Sequence, residues 1–193
     1  MPDDPTELDP IATVGQRRTS TTAPFPPRPA ASPEQERRRW EWDTDAAAAE
    51  AKRQFEHAAQ GRGEQLGHRE QSAVLYKSGA GVAVGPLGTG ERGTGSAPYN
   101  FTGINVKDVV GIIHNHPGGT LIPSAADWNS VYDRLGADIT AAGGDGSKLL
   151  MYIIAATYPP GGPAPTWVIY VYDQRNRAEA VHGPEVNPAG QPF

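Results

Sequence analysis

The chain has no cysteine among its 193 residues. Disulfides, thiolate-bound zinc and thiol nucleophiles are thereby excluded, so a bound metal must be held by histidine and carboxylate. No apolar run approaches the roughly 18 residues needed to span a bilayer. The first residues, Met1 to Ile11, are acidic and proline-containing rather than basic and then apolar, which is unlike a secretory signal. A soluble protein, cytoplasmic in the cell that makes it, is expected. There is also no Lys or Arg block able to neutralise a phosphate backbone, and the formal net charge is −5. Both features argue against general nucleic-acid binding.

Glycine (23) and proline (19) are plentiful, against 37% hydrophobic residues. This balance fits one ordinary domain whose core is smaller than the chain length suggests. Met1 to about Pro33 is rich in Pro, Thr, Ser and Ala and poor in large apolar residues. It cannot bury enough surface to offset its ordering entropy, and is expected to be a disordered leader or linker. The domain is expected over residues 34–182, with Gly183 to Phe193 as a flexible tail.

Within the domain, Glu34 to Gln60 reads as helix, with a break at Asp43-Thr44-Asp45 where Asp or Thr can cap a second helix from Ala46 to Ala59. Its alanine stripe and Phe55 are expected to pack on a sheet. Glu70 to Lys77 and Val82 to Leu87, separated by Ser78-Gly79-Ala80-Gly81, suit a β-hairpin. Gly88 to Gly103 reads as a surface loop; no Gly-Lys-Ser/Thr follows its glycines, so it is not a phosphate loop. Val106 to His116 is a strand. From Asp127 to about Ala142 a helix places Trp128, Val131, Tyr132 and Leu135 on one apolar face. Two more strands, Lys148 to Ala156 and Thr166 to Asp173, flank a Pro/Gly turn.

The chemistry concentrates where the Val106–His116 strand ends. Side chains alternate along a strand, so Val110, Ile112, His114 and His116 should share one side and Asn115 the other. Pro117-Gly118-Gly119 stops the strand, and Pro123-Ser124 opens a helix whose first turn contains Asp127. Two imidazoles and one carboxylate then supply three ligands with a fourth tetrahedral position open, the composition of a catalytic zinc site. Ser124 with Asp127 three residues later also reads as a capping box at a helix start.

His114-Asn115-His116-Pro117, then Pro123-Ser124 and Asp127, resembles the signature of the JAMM (JAB/MPN-plus) metallopeptidases, His-x-His-Pro followed by Ser-x-x-Asp, with every signature position filled. The resemblance implies an α/β, JAB/MPN-like mixed β-sheet flanked by helices, and one zinc ion per chain held by His114, His116 and Asp127. It assigns Ser124 to oxyanion stabilisation. It also implies a glutamate on an earlier strand that serves as general base and then acid. Glu70 is the best match, since it starts a strand and precedes His114 by 44 residues, with Glu64 and Glu91 as alternatives in Gly-rich surroundings. His57, His68 and His182 are expected to be dispensable for the metal.

By the same resemblance the expected activity is zinc-dependent hydrolysis of peptide or isopeptide bonds in a protein or peptide substrate. The His-Asn-His-Pro-x-Gly loop is similar to the RadC branch. The short upstream helix and Pro-rich leader look more like JAB domains of bacterial polymorphic toxins, which are delivered by specialised secretion systems and neutralised by immunity proteins. The alternatives are a housekeeping isopeptidase acting on a ubiquitin-like or sulfur-carrier protein, and a RadC-like DNA-associated protein. The last is weakened by the lack of a helix-hairpin-helix module. A non-catalytic scaffold is least expected, because scaffolding relatives usually lose the zinc ligands.

Overall fold

The computed structural model describes residues 33–158 and 164–174, all within the compact unit Ser32–Phe193. The expected leader, the expected tail and part of the turn before the last strand lie outside these residues. The first helix, α1 (Pro33–Gly61), is continuous. The expected break at Asp43-Thr44-Asp45 does not occur. Thr44 is fully buried, and Asp45 accepts a hydrogen bond from the Tyr152 hydroxyl at 2.7 Å, so its carboxyl is committed to the sheet rather than to a helix cap.

The strands are β1 (Gln71–Ser78), β2 (Gly81–Val84), β3 (Gly88–Thr89), β4 (Val109–His116), β5 (Leu150–Thr157) and β6 (Thr166–Tyr172). They form one mixed sheet in the order β2-β1-β4-β5-β6, with the short β3 also paired to β1. The expected hairpin is β1–β2: Ser78 faces Gly81 across a turn in which Gly79 has φ +60°, a conformation glycine adopts without penalty. Among the described residues, only β4 and β5 pair in parallel. Parallel neighbours need a long crossover, and that crossover carries the loop and helix after His116.

The two faces of the sheet bury different layers. On one, Ala47, Ala48, Ala51 and Phe55 of α1 pack against Ala73, Leu75, Ile113, Tyr152 and Ile154. On the other, Trp128, Val131, Tyr132 and Ile139 pack against Val74, Ile112, Met151, Ile153 and Tyr172. Each large side chain so buried contributes about 1.5–3 kcal/mol before ordering entropy. The alternation has one exception. Tyr76 pairs with Val109 and Leu75 with Gly111, so Val110 is an extra residue in β4, and it joins the α1-side cluster instead of sharing a side with Ile112 as expected.

The crossover helix begins as α2 (Ala125–Trp128), continues as a π-helical stretch (Asn129–Leu135) and ends as α3 (Gly136–Ala141). At its centre the Gly136 N–H bonds to the Val131 carbonyl, five residues back. Gly146 approaches so closely that a Cβ there would lie 2.0 Å from the Gly136 oxygen. The aromatic end packs tightly: Trp128 stacks on Tyr132 with centroids 5.4 Å apart and meets Tyr172 edge-on at 5.9 Å. Among the described residues no helix is long and apolar enough to cross a membrane.

Candidate metal centre

His114 and His116 sit two residues apart at the end of β4 and project from the same face, towards the start of α2. Their Nε2 atoms are 3.0 Å apart. Asp127, in the first turn of α2, completes the group: Oδ1 lies 3.5 Å from His114 Nε2 and Oδ2 lies 3.6 Å from His116 Nε2. Tetrahedral zinc, with bonds of about 2.0–2.1 Å, holds its ligand atoms roughly 3.3 Å apart. The three side chains, each offering one ligand atom within 4.8 Å of the others, are thus grouped as such an ion requires, and they are the one group of metal-ligating type found among the described residues.

Both imidazoles are oriented through their other nitrogen. His116 Nδ1 lies 2.7 Å from the Thr120 carbonyl, which can only accept, so the proton sits on Nδ1 and the Nε2 lone pair of the neutral ring faces the centre. His114 Nδ1 lies 2.9 Å from the Tyr99 hydroxyl. The loop after β4 is itself held in place. The Gly119 N–H bonds to the His116 carbonyl at 3.0 Å with Gly119 at φ +75°, and the Tyr172 hydroxyl donates to the Leu121 carbonyl at 2.6 Å.

Asp127 takes part in two arrangements at once. Ser124 is the N-cap of α2: its Oγ accepts the Asp127 N–H at 3.1 Å, and Asp127 Oδ2 accepts the Ser124 N–H at 2.6 Å. The capping box read from the sequence is thus present, and it aims the carboxylate at the two histidines. Burial alone would raise the Asp127 pKa, but His116, His114 and the Ser124 hydroxyl and N–H outweigh it and hold the carboxyl well below its usual range. Burial pushes His114 down to about 4, so its ring is neutral near pH 7. His116 is also penalised by burial, yet Asp127 and the Thr120 carbonyl raise it above its ordinary value.

Glu70 lies immediately before β1 and is buried. Burial raises its carboxyl to about 6; His116 pulls the other way, the negative Asp127 adds to the rise, and the Ala97 N–H lowers it. A carboxyl raised to about 6, in electrostatic contact with two of the metal-ligating side chains, is suited to taking up and releasing a proton. Its placement is owed to Asn115. That side chain is fully buried on the opposite face of β4 from the histidines; its Oδ1 accepts the Gln71 N–H at 2.6 Å, and its Nδ2 donates to the Leu66 carbonyl at 2.8 Å and the Arg69 carbonyl at 2.9 Å. One amide therefore clamps the turn that delivers Glu70.

The other candidates are placed elsewhere. Glu64 is bound by the guanidiniums of Arg62 at 3.0 Å and Arg69 at 2.9 Å, and Glu91 is exposed. His57 lies on α1, and His68 accepts the Gln65 N–H through Nδ1 at 3.4 Å; neither belongs to the metal-ligating group. His182 lies outside the described residues.

Sequence reasoning missed three contributors: Asn115, Ala97 and Tyr99. Alternation had placed Asn115 on the far side of a buried strand, and a buried amide must find partners, so its role as a clamp could have been anticipated. Ala97 and Tyr99 had no such signal. Their segment was read as a surface loop, but it folds back against β1 and β3. A Cβ at Gly88 would lie 1.8 Å from the Pro98 oxygen, one at Gly90 would lie 2.1 Å from the Ser96 oxygen, and Ser72 Oγ donates to the Pro98 carbonyl at 2.8 Å. The glycines permit a backbone contact that no other residue would allow.

Compared with protein-family models and with curated proteins, the chain matches none.

Proposed function

We propose that this protein is a zinc-dependent hydrolase of peptide or isopeptide bonds, of the JAMM type its signature resembles. The observation that carries the reading is the convergence of His114 Nε2, His116 Nε2 and the Asp127 carboxylate beside a buried glutamate whose carboxyl is raised to about 6. Zinc, when bound, supplies Lewis acidity to the attacking water and the scissile carbonyl. Glu70 accepts the proton of that water and returns it to the leaving amine. The Ser124 hydroxyl uses a lone pair on the Asp127 N–H, which leaves its own proton for the oxygen that becomes negative. Asn115 holds the backbone on both sides of Glu70, so the base needs little reorganisation.

The biological setting that best suits this reading is a bacterial effector protease with an immunity partner, an inference that rests on the resemblance alone. A panel of linear peptides, ubiquitin-like fusions and isopeptide-linked conjugates, incubated with the zinc-loaded protein, tests the activity. Cleavage by wild type and none by Glu70→Gln is the expected result. Failure of zinc-loaded wild type to cleave any class would remove the assignment.

A further inference from the structure

The Tyr99 hydroxyl and the Thr120 carbonyl occupy equivalent positions behind the two imidazoles, but they differ in chemistry. A carbonyl can only accept, whereas a phenol can accept or donate. In the neutral ring of His116 this leaves no choice: Nδ1 carries the proton and Nε2 is a lone pair. At His114 the choice depends on what occupies the centre. With both rings neutral and no ion, two lone pairs cannot face each other at 3.0 Å, so His114 Nε2 must carry its proton and donate to His116 Nε2. His114 Nδ1 is then a lone pair, and the Tyr99 hydroxyl donates to it at 2.9 Å. With an ion on Nε2, the ring's one proton must sit on Nδ1, and the same hydroxyl must accept.

We propose that Tyr99 is a positioning residue whose hydroxyl reverses its hydrogen bond when metal binds, letting His114 exchange tautomers without moving and thereby setting the affinity of the centre. The ring stays neutral throughout; its proton leaves Nε2 for solvent and one from solvent takes up Nδ1. A partner that only accepts would hold the ligating tautomer permanently and leave the two Nε2 lone pairs opposed in the metal-free chain. A partner that only donates would oppose the metal. The hydroxyl is held in place by its backbone: Tyr99 follows Pro98, whose carbonyl is bound by Ser72 Oγ and packed against Gly88, and Ser72 pairs with His114 in the β1–β4 register. The ring also meets His114 edge-on, with centroids 6.3 Å apart.

This inference rests on the reading of His114, His116 and Asp127 as metal ligands, and its test separates the two. Tyr99→Phe removes one oxygen and keeps the ring. Zinc affinity is measured by competition with a chromophoric chelator, Co²⁺ binding by the visible absorption of the ion, and the His114 tautomer by imidazole ¹⁵N spectra at mildly alkaline pH with and without zinc. The expected result is a loss of about 10- to 100-fold in zinc affinity and a shifted cobalt band in Tyr99→Phe. In wild type, the His114 proton should move from Nε2 to Nδ1 on zinc addition, and the metal-free variant should melt close to metal-free wild type. Zinc affinity within about twofold of wild type, or one His114 tautomer in both states, overturns the role of Tyr99 while leaving the metal site standing. Collapse of the metal-free variant would assign the hydroxyl to the core instead, and wild type that takes up no zinc would overturn both readings.

Discussion

Three consecutive residues of β4 meet two different worlds. Asn115, pointing to the α1 side, finds a partner for its carbonyl and for its amide, all from backbone groups of Leu66, Arg69 and Gln71. His114 and His116, pointing to the α2 side, turn two ring nitrogens towards each other and towards a carboxylate, all within 4.8 Å. The first arrangement is complete as it stands and gains nothing from a ligand. The second concentrates lone pairs and negative charge where a cation would satisfy them. A buried polar group whose partners are all backbone fixes structure; a buried cluster of side-chain lone pairs with fixed orientation is poised for an ion.

The contrast can be broken most severely on its structural side. Asn115→Leu leaves the buried Gln71 N–H and Leu66 carbonyl, and the part-buried Arg69 carbonyl, without their partner, at about 1–3 kcal/mol for each buried group. Equilibrium denaturation should show a loss of roughly 3–5 kcal/mol, the largest effect of any single change discussed. Loss under about 1 kcal/mol would mean that the clamp is replaceable by water. Because the turn that holds Glu70 would loosen, any folded Asn115→Leu protein should also lose activity while still taking up zinc.

On the chemical side, Glu70→Gln should keep the fold and the metal, since Glu70 is not among the three ligating side chains, yet lower kcat by about 10²–10⁴-fold because an amide cannot relay the proton. Ser124→Ala should cost about 10²–10³-fold in kcat, and about 1 kcal/mol of stability because the N-cap of α2 is lost. Steady-state kinetics beside thermal unfolding distinguishes the two. A Ser124→Ala protein that loses stability but no activity would confine Ser124 to the capping box.

The smallest expected effect comes from Asp45, a polar group on the α1 side that is less well served than Asn115. Burial raises its carboxyl to about 6 despite the hydrogen bond from Tyr152, with Glu41 adding to the rise. Between its ordinary value and about 6, the folded chain holds a proton that the unfolded chain has released, so stability falls as pH rises through that window and stays reduced above it. Asp45→Asn can still accept from Tyr152 and should flatten this slope, stabilising the fold near pH 7 by ~1 kcal/mol once solvent screening is allowed for. Parallel pH–stability curves for wild type and variant would show that the carboxyl is not responsible.

Much of this was legible in the residues because it depends on short-range rules. Alternation in β4 put His114 and His116 on one face, the Pro-Ser opening placed Asp127 in the first turn of a helix, and glycine at position 79 marked the hairpin. The helices and strands followed from the same periods, and their mixed sheet is the one the resemblance implied. What was not legible depends on partners distant in sequence. The helix continued through Asp45 because its partner is Tyr152, 107 residues away. Val110 changed sides because of a bulge that only the register with β1 reveals. The π-helical stretch is tied to the close approach of Gly146 to Gly136, and Tyr99 reached the site through a loop whose glycines read only as flexibility. Local pattern specifies the elements, and tertiary contact decides their irregularities.

The measurement that bears most directly on the metal centre is zinc stoichiometry by elemental analysis of the full chain, wild type beside His114→Ala, His116→Ala and Asp127→Ala, each shown to be folded. One ion per chain in wild type, and its loss in each of the three variants, is the predicted result. Full zinc content in a protein lacking both histidines would contradict it.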